Sequence, residues 1–154
     1  MWLDKETFKC VVKNAPLISI DLIIENKNKQ YLLGKRKNKP AKGFLFVPGG
    51  RILKGENISK AFERITLAEI GKSIPISIAK FLGVFEHFYK DSVFNDQIST
   101  HYIVLAYKLK ISDIEISSLP RTQHMNYFWL SISEILKRED VHPYTKLYFK
   151  EKLR

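Results

Sequence analysis

At 154 residues and 45% hydrophobic, the chain can build one compact domain with a sizeable core and leaves little for a second, so a single domain over residues 1–154 is expected. The formal charge of +10 admits nucleic acid, membrane surfaces and phosphorylated metabolites as anionic partners, and Cys10, the single cysteine, excludes an internal disulfide or a cysteine-built metal cage. No apolar run approaches the roughly 20 residues that span a bilayer, and the opening MWLDKETFKC mixes acid and base ahead of any apolar stretch, unlike a secretory signal, so a cytoplasmic protein is expected.

Residues 4–15 read as a short amphipathic helix with Phe8, Val11 and Val12 inward and Pro16 as its stop; Cys10, with apolar neighbours, is expected to pack. Apolar segments 17–25 and 30–36, separated by the turn-like residues 26–29, predict a pair of neighbouring strands. A loop over 37–43 carries Lys37, Lys39 and Lys42, which with Lys35 read as a solvated basic face. A short strand over 44–47 runs into Pro48, Gly49 and Gly50, where the glycines permit close approach of a ligand to backbone.

A helix follows, with Asn57 as N-cap, Ile58, Ala61, Phe62, Ile65 and Ala68 at helical spacing, and Gly71 as its stop. At about 100° per residue, Glu69 falls on the same stripe as Ile58 and Phe62. A carboxylate there would cost several kcal/mol if left ionised and unpartnered, so it should meet an arginine, a metal or a cavity. Residues 74–89 and 100–110 predict two long strands around a polar loop, residues 127–130 a short strand, and 133–138 and 143–153 two closing helices. Periodicity alone gives mixed α and β structure.

In GGRILKGENISKAFERITLAEIG, residues 49–71, five residues separate Gly50 from Glu56 and seven separate Glu56 from Arg64, with Glu69 and Gly71 closing the pattern. This spacing resembles the box of the Nudix family, in which several glutamates hold divalent cations against a diphosphate. Two of the acidic positions are Ile65 and Ala68 here, and Glu69 remains. The resemblance implies an α/β (mixed α+β) fold, an α/β/α sandwich around a mixed β-sheet.

The segments PLISIDLIIEN, LLGKR, KPAKGFLFVPGGR, GVFEHFYKD, THYIVL and TQH are similar to the GDP-mannose mannosyl hydrolase branch of that family. That branch directs water at the anomeric carbon with inversion, releasing GDP and free sugar. The resemblance implies GDP-mannose or GDP-glucose as substrate, Mg2+ or alternatively Mn2+ as cofactor, a homodimer, and neither nucleic acid nor membrane as partner. It assigns the metal to Glu69, Gln123 and a carbonyl of Gly49 or Gly50, and the general base to His124 in a polar loop before a strand. Arg36, Arg51 and Arg64 would grip the diphosphate; Asp21, Tyr102 and His87 would meet the substrate, with Arg36, Asp21 and Tyr102 also in the catalytic group.

Several of these residues have a plainer reading, and Glu69 could reach solvent from a frayed last turn of its helix. Gln123 and His124 would be ordinary loop residues, His87 and Tyr102 packing residues, and Arg64 the ion-pair partner of Glu56; Asp21, within an apolar run, could answer to an arginine instead of a sugar hydroxyl. His101 and His142 carry only a structural reading. Two alternatives to sugar release stay open: cleavage of a nucleotide sugar at phosphorus, and a non-catalytic module that binds RNA or protein.

Overall fold

The structure is a computed structural model and describes residues 1–150; the predicted helix over 143–153 runs past that limit, so its final residues lie outside the described ones. Helix α1 (Lys5–Asn14) is capped by Asp4, whose carboxylate accepts the Thr7 backbone N–H at 3.0 Å and its hydroxyl at 2.6 Å. The expected packing of Cys10 does not occur. About 200° around the helix from both Phe8 and Val12, its thiol side is exposed.

Strands β1 (Leu17–Glu25), β2 (Tyr31–Arg36), β3 (Leu45–Phe46), β4 (Gly49–Arg51), β5 (Lys80–Tyr89), β6 (Thr100–Lys110) and β7 (His124–Leu130) form one mixed sheet. β1 runs parallel to β6 along its full length, and β5 pairs antiparallel to β6 at the edge of the path. β1 and β2 pair only at Glu25 and Tyr31, then diverge. The buried Glu25 carboxylate pins that junction, meeting Lys108 at 2.5 Å, the Tyr31 hydroxyl at 3.2 Å and Lys29 at 3.3 Å.

The segment 45–51 wedges into the opening: β3 pairs with β2 at Gly34 and Lys35, and β4 pairs with β1 at Ser19 to Asp21. A single strand over 44–47 was the expectation. Two short strands flank Pro48 instead, because that proline has no N–H to give either neighbour, while its carbonyl accepts from Leu22 N–H at 2.8 Å. For the same reason the strand expected from residue 74 begins only at Lys80, after Pro75 and a 3-10 turn, Ile76–Ile78.

Alternation along β1 sorts the core into two layers. Ile20, Leu22 and Ile24 pack with Ala61, Phe62 and Ile65 of helix α2 (Ile58–Ile70) on one face. Ile23 packs with Leu45, Ile135 and Phe149 on the other, where helices α3 (Ile132–Lys137) and α4 (Pro143–Leu147) lie. α2 has the expected ends: the Asn57 side chain accepts from Lys60 N–H at 2.9 Å, and Gly71 stops it in the left-handed region at φ 74°.

β7 begins at His124, three residues before the expected strand, because Arg36 on β2 pairs with it. His124 is therefore a strand residue, 1% exposed, and not a loop histidine. Its ring lies over Gly34, where an added Cβ would come within 2.6 Å of the imidazole. Gly34→Ala is expected to lower stability by ~1–3 kcal/mol through overpacking, read from the midpoint of urea unfolding, with His124 ring resonances shifting.

Candidate active site

A cavity of about 320 Å³ opens where the wedge separates β1 from β2. Asp21, Arg36, Gly49, Gly50 and Arg51 line it from the strands, Arg64, Ile65, Ala68 and Glu69 from α2, and His87, Tyr89 and Tyr102 from β5 and β6; Gln123 reaches it from the bend before β7. Of the residues assigned in the sequence to metal, substrate or catalysis, His124 is the one absent from the wall.

Strand register decides which glycine backbone is free. Leu22 N–H donates to Pro48 and Ile52 N–H to Ile18, both at 2.8 Å, so by antiparallel alternation Ile20 and Gly50 form a hydrogen-bonded pair and Asp21 and Gly49 a non-bonded one. The N–H and C=O of Gly49 thus point away from β1, on the side where the N–H favours the charged form of the Glu69 carboxyl. No side chain fits at this position: a Cβ would lie 2.6 Å from the Ile20 carbonyl oxygen and 2.7 Å from Asp21 Oδ1.

Glu69 is 4% exposed, and burial pushes its carboxyl up to about 7 against the opposing pull of Arg36 and the Gly49 N–H, with Asp21 adding to the rise. Asp21 likewise rises to about 7 by burial, opposed by a hydrogen bond from Tyr148 and by the Arg36 charge. An arginine was one expected partner for Asp21. The direct donor is instead the Tyr148 hydroxyl, at 2.6 Å.

Arg36 is the central cation, its Nε donating to the Pro40 carbonyl at 3.0 Å while its charge reaches both buried carboxyls and His124. His124 Nδ1 lies 3.7 Å from Glu69 Oε2, and neither ring nitrogen has a hydrogen-bond partner. Burial, then Arg36 and Lys37, hold this imidazole down at about 4, so it is neutral at pH 7. His87 is held at about 4 by burial and by His142.

The Arg64 fork is occupied: Nε meets Glu56 Oε1 at 2.6 Å, and Nη2 meets Glu56 Oε2 at 2.9 Å and the Arg51 carbonyl at 2.7 Å. It braces the loop between β4 and α2. Arg51 extends beside it, its guanidinium 3.8 Å from the Phe8 ring centroid and 5.5 Å from that of Trp2. Tyr148 was missed in the sequence; the available signal was its i, i+4 spacing from Tyr144 together with an acid in an apolar strand that needed a donor.

Among the described residues, no group of three His, Cys, Asp or Glu side chains could hold a metal. The oxygens on the cavity wall still suit Mg2+: one buried carboxylate without a cationic side chain bonded to it, the outward Gly49 carbonyl and the Gln123 amide, with positions left for phosphate oxygens and water.

The NUDIX domain family model matches residues 15–150. The low-salt glycan biosynthesis protein Agl8 of Haloferax volcanii is 36% identical over 143 residues, 93% of this chain and 86% of its own. An ADP-ribose pyrophosphatase of Methanocaldococcus jannaschii is 43% identical over 70 residues, 46% of this chain and 40% of its own. Among solved structures, a MutT NUDIX hydrolase from Burkholderia pseudomallei shares the fold at a TM-score of 0.70 and 20% identity, covering 88% of this chain and 97% of that one.

The brace has a pH signature. Arg64, aided by the Leu53 N–H, holds Glu56 at about 2, below its ordinary 4.5. With the folded value depressed, the unfolded chain takes up the proton first, so the pair's stabilisation is present above pH 4.5 and is lost as pH falls through 2. Glu56→Gln is expected to cost ~1–3 kcal/mol at pH 7, with the gap to the wild type narrowing on acidification in unfolding titrations.

Proposed function

The chain belongs to the NUDIX domain family, and on that premise we propose that this hydrolase cleaves GDP-mannose, or GDP-glucose, to GDP and free sugar by attack of water at the anomeric carbon. The carrying observation is the cavity wall itself: Ile65 and Ala68 stand where the family's box has two further acids, leaving Glu69 as its remaining carboxylate. Attack at phosphorus loads negative charge onto phosphoryl oxygens and commonly uses several cations. At carbon, the sugar develops oxocarbenium character and a nucleoside diphosphate departs as a stable anion, which asks less of the site. The role in glycan biosynthesis that the Haloferax relative's name carries agrees with a nucleotide-sugar substrate.

In this reading Glu69, the Gly49 carbonyl and Gln123 hold one Mg2+ or Mn2+, which when bound would neutralise the departing diphosphate. Arg36 and Arg51 present guanidinium groups to the phosphates, while Arg64 keeps Arg51 and the α2 N-terminus in place. Asp21, His87 and Tyr102 face the sugar end. His124, neutral and with both nitrogens unpartnered, takes the proton of the attacking water; because its ring is off the wall, this role requires the start of β7 to shift toward the cavity. The reading includes a single domain over residues 1–154, acting as a homodimer in the cytoplasm with neither nucleic acid nor membrane as partner.

The Methanocaldococcus relative, a pyrophosphatase by name, favours a second reading in which the bond broken is at phosphorus. Turnover of GDP-mannose in 18O-water separates the two. Label in mannose with unlabelled GDP is the expected result; label in GMP or mannose phosphate would establish the second reading, and absence of turnover on any nucleotide sugar would leave a binding module. Glu69→Gln is expected to abolish activation by Mg2+. His124→Gln should lower kcat on the order of 100-fold or more with GDP affinity retained; an unaltered kcat would remove the base assignment.

A further inference from the structure

Asp21 and His87 come from strands that do not touch one another, β1 and β5, with β6 between them. Both belong to the face of the sheet that α4 covers. Tyr148, immediately after α4 and 2% exposed, joins them: its hydroxyl donates to Asp21 Oδ2 at 2.6 Å and lies 3.4 Å from His87 Nε2. One turn earlier, Tyr144 stacks on the His87 ring at 4.3 Å and 9°. The Tyr144 hydroxyl closes a second link to β5, donating to the Phe88 carbonyl at 3.0 Å and accepting its N–H at 2.9 Å.

We infer that Tyr148, supported by Tyr144, is a positioning residue that locks Asp21 and His87 into one acceptor pair for a hydroxyl-rich ligand group. The logic is one of hydrogen-bond directions. The phenol has a single proton, and with Asp21 ionised, as the donor direction at 2.6 Å requires, that proton goes to the carboxylate. Its oxygen can then only accept from His87, which fixes the proton of that imidazole on Nε2 and leaves Nδ1 as an acceptor. Asp21 Oδ2 is occupied in the same way, so Oδ1 is the oxygen free to accept.

Two acceptors held in one orientation match a group that brings several O–H donors, and they disfavour a phosphate, which brings only acceptors. The ring itself cannot swing away: Phe85 packs edge-on against it at 4.8 Å and 82°. Position 148 thus sets both which atoms of the sugar-facing wall are acceptors and where they point. This inference rests on the proposed sugar-releasing reaction for its kinetic consequence, but its hydrogen-bond pattern does not depend on any reaction.

Tyr148→Phe keeps the ring and removes only the hydroxyl. In long-range 1H–15N spectra of the imidazoles, the wild type is expected to show His87 as the Nε2–H tautomer, and the variant a tautomer mixture. An identical His87 pattern in the two proteins would overturn the inference. With GDP-mannose as substrate, the variant is expected to lose about tenfold or more in kcat/KM while its Kd for GDP, which lacks the sugar, stays unchanged. Equal kcat/KM, or an equal loss in GDP binding, would also overturn it. Should the wild type not turn over GDP-mannose, the substrate reading fails while the His87 spectra still decide the role of Tyr148.

Discussion

The pairing of three residues of β4 with three of β1 sets the geometry on which the cavity depends. Gly49 sits so close over Asp21 that even a methyl group would collide with the Ile20 carbonyl and the Asp21 carboxylate. That approach places the 45–51 segment as a wedge between β1 and β2, and the same register turns the Gly49 backbone outward to Glu69. Without a glycine there the two strands could not diverge around a continuous ladder, and the space between them would not be lined by backbone.

Electrostatics follows from this geometry. Two carboxyls, Asp21 and Glu69, are buried on the walls of one cavity, and the charge that reaches both is Arg36. Burial outweighs that arginine at both, with the Asp21 charge adding to the rise at Glu69, so both carboxyls are held well above the ordinary carboxylate range in the absence of a further cation. A divalent ion beside Glu69 and a donor-rich ligand beside Asp21 would each relieve part of that cost. The opposing demands explain why Arg64 is left out: its fork is saturated by Glu56 and the Arg51 carbonyl, so it stabilises the scaffold rather than the cavity charge.

Helix signals were legible because they are local. Asn57 as cap, Gly71 as left-handed stop and the inward turn of Ala61, Phe62, Ile65 and Glu69 all depend on neighbours within a few turns, and the structure shows each of them; Ile58 and Ala68, at the margins of the predicted stripe, are exposed instead. Cys10 failed as a core residue for a related reason: apolar neighbours in sequence are not neighbours on a helix face, and two positions from Phe8 is the opposite side. His124 failed as a loop residue because strand pairing across β2 extended β7 backward, a decision made by Arg36 eighty-eight positions away.

The sequence by itself determined the fold family, the reduced set of acids on α2 and the residue types that can meet a diphosphate, since spacing along a helix and glycine at a tight approach are properties of the chain alone. Tertiary structure decided which donor each group actually meets. Asp21 gained a phenol from the far end of the chain, Arg64 was spent on a brace, His124 was enclosed beside Glu69, and Gly49 rather than Gly50 was given the outward carbonyl. Those outcomes rest on strand register and on hydrogen-bond competition among residues distant in sequence, which no local pattern encodes.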